Sequence, residues 1–130
     1  MQDGFLPICC VDDTLRGTAL EKWGELVADG AKNLGKDWTR VNKYKEFLEE
    51  VGFEDVVETR FAWPIGTWAR GERMKMLGTW TREDVLGAIQ GVSMAVMTRG
   101  LGMSSEEVEV FLVDVRKDIM NKGIHAYFPM

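Results

Sequence analysis

His125 is the single histidine in this 130-residue chain. One imidazole rules out a multi-histidine metal site, and a general base must be that ring or a carboxylate. Placed between Ile124 and Ala126 and close to Tyr127, it reads either as a hydrogen-bonded structural histidine or as a catalytic one. The adjacent Asp12 and Asp13 can serve a metal or a ribose. Directly before Thr14 and a helical pattern, their simpler reading is a helix N-cap with favourable anionic neighbours. Cys9 and Cys10 are adjacent and no third cysteine exists, a spacing that suits neither a structural disulfide nor tetrahedral zinc ligation. Trp63 and Trp68 flank a Pro64-Ile65-Gly66 turn. Flat rings give large contact area with few rotors to freeze, so this pair reads as the wall of a small-molecule pocket. No glycine-rich strand-to-helix loop of the nucleotide-binding kinds is present. Gly100-Leu101-Gly102 reads as a helix–helix turn.

The elements that must position these residues follow from periodicity. Leu20, Trp23, Leu26, Val27, Ala31 and Leu34 recur at three- and four-residue steps and predict an amphipathic helix ended by Gly35. Val41, Tyr44, Phe47, Leu48 and Val51 predict a second helix, stopped by Gly52. Residues 53–63 alternate Val57, Thr59, Phe61 and Trp63 with Glu58 and Arg60, which predicts a strand ended by Pro64 and Gly66. A short helical turn over 72–77 is expected next, then a longer helix headed by Thr81, with Val85, Ile89, Val92 and Val96 on its apolar face. Ser104 and Glu107 make a capping box before Val108, Phe111, Leu112, Val115 and Ile119. The tail, 124–128, can be extended but needs a neighbouring strand. Met74, Met76, Met94 and Met97 fall at or beside helical packing positions, so packing rather than metal binding accounts for them.

Composition narrows the function classes. The length and 45% hydrophobic content suit one globular domain, and no internal boundary appears. The net charge of −5 argues against a nucleic-acid partner bound by charge. No long apolar run or basic, apolar N-terminal leader is present, so the expectation is a soluble, intracellular protein, cytoplasmic or nuclear, with no membrane contact and no bound metal.

Taken in order, DDTLRGTALEKW from Asp12, the Gly52-Phe53 junction, WPIGTW from Trp63, residues 75–78, SSEEVEVFLVDVR from Ser104 and IHAY from Ile124 resemble the C-terminal part of fungal LaeA-like methyltransferases. The resemblance runs over nearly the whole chain. It implies an α/β fold, the C-terminal portion of an S-adenosylmethionine-dependent class I (Rossmann-like) methyltransferase, mostly helical here with one or two strands. In that fold the last strands form an antiparallel hairpin, and the seventh strand lies between the fifth and sixth. Residues 1–3 would end the fifth strand and 53–63 would be the sixth, while the chain would stop where the seventh should begin. Residues 81–121 would be a helical insertion or lid within a single partial domain. The resemblance further implies a substrate side bordered by Trp63, Trp68 and Tyr127, with His125 as a base.

The family's glycine-rich loop and ribose carboxylate lie in the half that this sequence lacks. S-adenosylmethionine is therefore implied by the family but not expected to bind this chain alone. A truncated methyltransferase, inactive by itself, is the first expectation, with a small-molecule substrate in the full-length family. A non-enzymatic helical interaction module, paired through its exposed strand with a protein partner, is the second. A small-molecule-binding domain is the third.

Overall fold

A computed structural model describes residues 3, 4 and 6–130. Three helices form the body: α1 (Ala19–Asn33), α3 (Glu72–Leu101) and α4 (Ser105–Met120). A short α2 (Tyr44–Glu50) follows a 3₁₀ segment, Trp38–Lys43. Beside the bundle lie the strands β1 (Cys9–Cys10), β2 (Ala62–Pro64) and β3 (Ala126–Pro129).

The periodicity of α1 and α4 is spent on one core. Leu20, Trp23 and Val27 of α1 meet Ile89 and Met97 of α3 and Val108, Leu112, Val115 and Ile119 of α4, all buried. Each such side chain contributes roughly 1.5–3 kcal/mol by leaving water. Two polar ties fix the register of this packing. The buried indole N–H of Trp23 donates to Ser93 Oγ at 2.7 Å, which satisfies a group that would otherwise be costly to bury. Asp118 of α4 accepts the Leu20 N–H at 3.0 Å, so one helix satisfies an orphan first-turn donor of another.

Helix α4 starts where expected, with the reciprocal capping box of Ser104 and Glu107 formed. The expected break before Thr81 is absent. Helix α3 runs unbroken over Glu72–Leu101, and the Thr81 hydroxyl donates to the Leu77 carbonyl at 2.9 Å inside it. The reason is a hydrogen bond that a mid-helix threonine makes as readily as a cap. A helical unit beginning at 81 is therefore corrected to one beginning at Glu72. It stays in register past Gly87 and Gly91, and ends at Gly102 with φ 70°.

The sheet has the order β1-β3-β2, with β3 antiparallel to both neighbours. Three strands replace the expected one or two, and the tail supplies the central one. Residues 53–60 alternate in sequence yet form no strand: Phe53 and Val57 are exposed, and pairing begins only where Phe61 exchanges both backbone hydrogen bonds with Met130, just before the ladder at Ala62. Alternation marks a surface that can pair, and only residues 61–64 find β3 and Met130 beyond it. The expected strand at 1–3 falls partly on Met1 and Gln2, outside the described residues. Asp3 is not in a strand, and the first pairing is at Cys9.

The turn after β2 is locked to α3. Pro64 and Ile65 are buried, the Gly66 N–H donates to the Gly78 carbonyl at 3.0 Å, and the Ile65 N–H donates to the Ala126 carbonyl at 2.9 Å. A Cβ on Gly78 would lie 2.9 Å from the Gly66 carbonyl carbon and 3.3 Å from Pro64 Cγ. Glycine is thus what lets the Trp-Pro-Ile-Gly turn lie flat on the helix.

Candidate functional site

The antiparallel pairing of β1 with β3 brings residues 9–14 to residue 125. Cys9 lies opposite Tyr127 and Cys10 opposite Ala126. Beyond Cys10 the chain enters a 3₁₀ turn, Asp13–Leu15, capped by Asp12. The cap expected of Asp12 is present, although helix α1 itself starts later behind Thr18.

Asp12 does more than cap. Its Oδ1 accepts the Thr14 N–H at 3.1 Å and the Thr14 hydroxyl at 2.6 Å, while Oδ2 stands 2.6 Å from His125 Nδ1. Thr14 Oγ1 in turn accepts the His125 N–H at 2.9 Å. The His125 carbonyl accepts the Val11 N–H at 3.3 Å and lies 3.3 Å from the Cys10 thiol. Residues 10–14 thereby hold the imidazole and both backbone groups of His125.

Trp68 lies against the ring, centroids 5.3 Å apart and planes 42° apart. Its own N–H is fixed on the Ala126 carbonyl at 3.0 Å. The His125 and Asp12 side chains remain 35% and 41% exposed, so the cluster opens to solvent. Tyr127 follows on β3, opposite Cys9 and Pro64, whereas Trp63 is opposite Phe128. One step of register places Trp63 and Tyr127 on opposite faces of the sheet. The structure therefore brings Trp68 to His125, sets Tyr127 two residues along, and turns Trp63 away from Tyr127.

Hydrogen bonds from Thr14 and from His125 hold the Asp12 carboxyl well below the ordinary carboxylate range. A depressed folded-state value stabilises the fold above the unfolded value, near pH 4, and that contribution is lost as pH falls through the folded value. Acid denaturation followed between pH 5 and 2 is expected to be shallower in Asp12→Asn than in the parent, and parallel curves would count against it. Burial, and after it the neighbouring Cys9, raises the Tyr127 phenol, which keeps Tyr127 neutral and able to donate.

A wider hollow lies elsewhere. A groove of about 620 Å³ is lined by Val41, Tyr44, Leu48, Val57, Phe61 and Met130, and none of the residues singled out in the sequence for chemistry borders it. A smaller hollow of about 340 Å³ touches Cys10 and Asp12 beside Arg16 and Glu21. Among the described residues no cluster of three or more His, Cys, Asp or Glu could hold a metal ion, and no helix is long and apolar enough to cross a membrane.

The chain is 30% identical over its whole length to the probable methyltransferase tdiE of Emericella nidulans, covering 41% of that protein. It is 28% identical to methyltransferase pytC of Aspergillus terreus, over 98% of this chain and 37% of that one. With the protein-methionine methyltransferase laeA of Emericella nidulans it shares 24% identity, over 91% of this chain and 32% of that one. The chain belongs with the LaeA-like methyltransferases of fungi. It spans about two fifths or less of the length of these LaeA-like relatives. No family model matches the chain, and no solved structure does.

Methyltransferases of this kind imply S-adenosylmethionine, and the helix turn that follows β1 offers it no anchor. The natural anchor for a charged cofactor is a set of free amides where a helix follows a strand. After β1 the first-turn amides of α1 are already taken: Glu21 N–H by Thr18 Oγ1 at 3.1 Å and Leu20 N–H by Asp118. The Thr14 N–H of the preceding turn is taken by Asp12.

The contact between Asp12 and His125 spans 113 positions and left no local signal. The only hint in the sequence was an acidic pair at one end and a solitary histidine at the other.

Proposed function

We propose that this chain is the substrate-side, C-terminal portion of an S-adenosylmethionine-dependent methyltransferase with a class I, Rossmann-like fold, and that it does not bind the cofactor by itself. The observation that carries this reading is the strand order β1-β3-β2, with β3 antiparallel to both. That is the order the family resemblance implies for the fifth, seventh and sixth strands. On this reading β1, not residues 1–3, corresponds to the fifth strand, and β3 is the seventh. The helices α3 and α4 between β2 and β3 would form the insertion that covers the substrate.

In this proposal His125 accepts a proton from the substrate nucleophile, and Trp68 and Tyr127 border a small-molecule substrate. Trp63, on the other sheet face, supports that wall from behind. The outer edges of β1 and β2 carry no strand among the described residues, and an open edge calls for a cover. A protein partner, or the cofactor-side half of a longer polypeptide, would supply it.

The second reading, a helical interaction module, is favoured by the exposed Val57 and Phe61, which line the 620 Å³ groove. Isothermal titration of S-adenosylmethionine into this chain tests the first reading. No heat of binding is expected, and micromolar affinity would overturn the statement that the cofactor wall lies elsewhere.

A further inference from the structure

We infer that Asp12, braced by Thr14, is a positioning residue that fixes the tautomer of His125, so that the ring holds its proton on Nδ1 and presents a bare Nε2. The inference rests on the reading of His125 as the proton acceptor and deepens it. Nothing in the local sequence around residue 125 would supply this carboxylate.

The geometry leaves little choice of tautomer. An ionised carboxylate only accepts hydrogen bonds, and its bonds from Thr14 favour the ionised form. With Oδ2 at 2.6 Å from Nδ1, the proton between them belongs to the ring nitrogen. A neutral imidazole has one N–H, so Nε2 then carries the lone pair. Charge-assisted bonds of this length are among the strong ones.

Thr14 makes the aim rigid rather than merely favourable. Its one hydroxyl proton goes to Asp12 Oδ1, and its lone pair receives the His125 backbone N–H. Carboxylate, hydroxyl, backbone amide and ring thus close a loop through three residues, with His125 111 positions from Thr14. Trp68 blocks one side of the ring, which leaves the third of the His125 side chain that is open as the direction of approach. A nucleophile bearing a proton, an alcohol, phenol or amine, would meet Nε2 there as a base that needs no rotation.

Because the chain has one histidine, long-range proton–nitrogen correlation NMR reads the tautomer without assignment ambiguity. For the neutral ring, the Nδ1–H form of the parent chain is expected to exceed the Nε2–H form by about tenfold or more. In Asp12→Asn, whose amide can either accept from or donate to Nδ1, the ratio is expected to fall to within about threefold of parity. Thr14→Val should move it in the same direction and less far. A parent ring mainly in the Nε2–H form overturns the inference, as does an Asp12→Asn chain that keeps its dispersed amide spectrum and the parental ratio. Should that variant unfold, the parental ratio and Thr14→Val decide. The measurement needs no methyl transfer. An Nδ1–H ring in a protein whose full-length relatives turn over without the histidine would refute the base, whereas an Nε2–H ring refutes the positioning.

Discussion

Gly78→Ala is expected to lower stability by about 3 kcal/mol or more, read as a fall in the urea midpoint with an unchanged slope. The new methyl would sit 2.9 Å from the Gly66 carbonyl carbon and against Pro64. Neither neighbour is the yielding end of a long side chain. Gly66 has φ 87°, a conformation held by its bond to the Gly78 carbonyl, and Pro64 is buried at the end of β2. Relief would require α3 to back away from the sheet, which uncovers the buried Ile65 as well. The same helix supplies its own controls. Nothing lies within 4 Å of a Cβ added at Gly87 or Gly91, so alanine there should stabilise by about 0.5–1 kcal/mol through helix propensity alone. One substitution type, three positions on one helix and two opposite signs separate close packing from backbone freedom. Equal effects at Gly78 and Gly87 would show that the turn does not rest on α3 as described.

The second large effect concerns turnover. In a full-length relative with histidine at the position of His125, exchange for alanine is expected to cut methyl transfer by about 10²- to 10⁴-fold, the usual range for a positioned general base. Free imidazole added to the assay should restore part of the loss, because the space left beside Trp68 and Asp12 is open to solvent. Stability should change little, since the ring is one-third exposed. Undiminished turnover would reduce His125 to a packing residue and leave the tautomer question a structural one.

What was legible in the sequence was local. Helix α1 announced itself because Leu20, Trp23, Val27 and Ala31 all face one core, and α4 because its capping box lies within four consecutive residues. The second helix was legible as well, but none of its residues is buried, so its apolar stripe does not report a core. Three features escaped, two of them through contacts between residues far apart. The alternation of 53–63 promised a long strand, yet its length is set by how much of the segment 127–130 it meets. Thr81 looked like a helix start because nothing nearby reveals that the preceding turn continues through Gly78. The Asp12–His125 pairing depends on β3 entering between β1 and β2, which no window of sequence contains.

Trp63 shows the same limit at the scale of a side chain. Its neighbourhood with Trp68 suggested one wall. A residue in a strand and a residue past the following turn need not share a face, and here Trp68 reaches the Ala126 carbonyl while Trp63 sits across from Phe128.

The place of β3 has a consequence for synthesis. Strands β1 and β2 bond to β3 and not to each other, and α1 receives one of its capping bonds from Asp118. A nascent chain leaving the ribosome can therefore wind its helices early, while both outer strands wait, edges bare, for Ala126–Pro129 to emerge. The sheet cannot close before Ala126–Pro129 is in place, and the imidazole arrives with the strand that closes it.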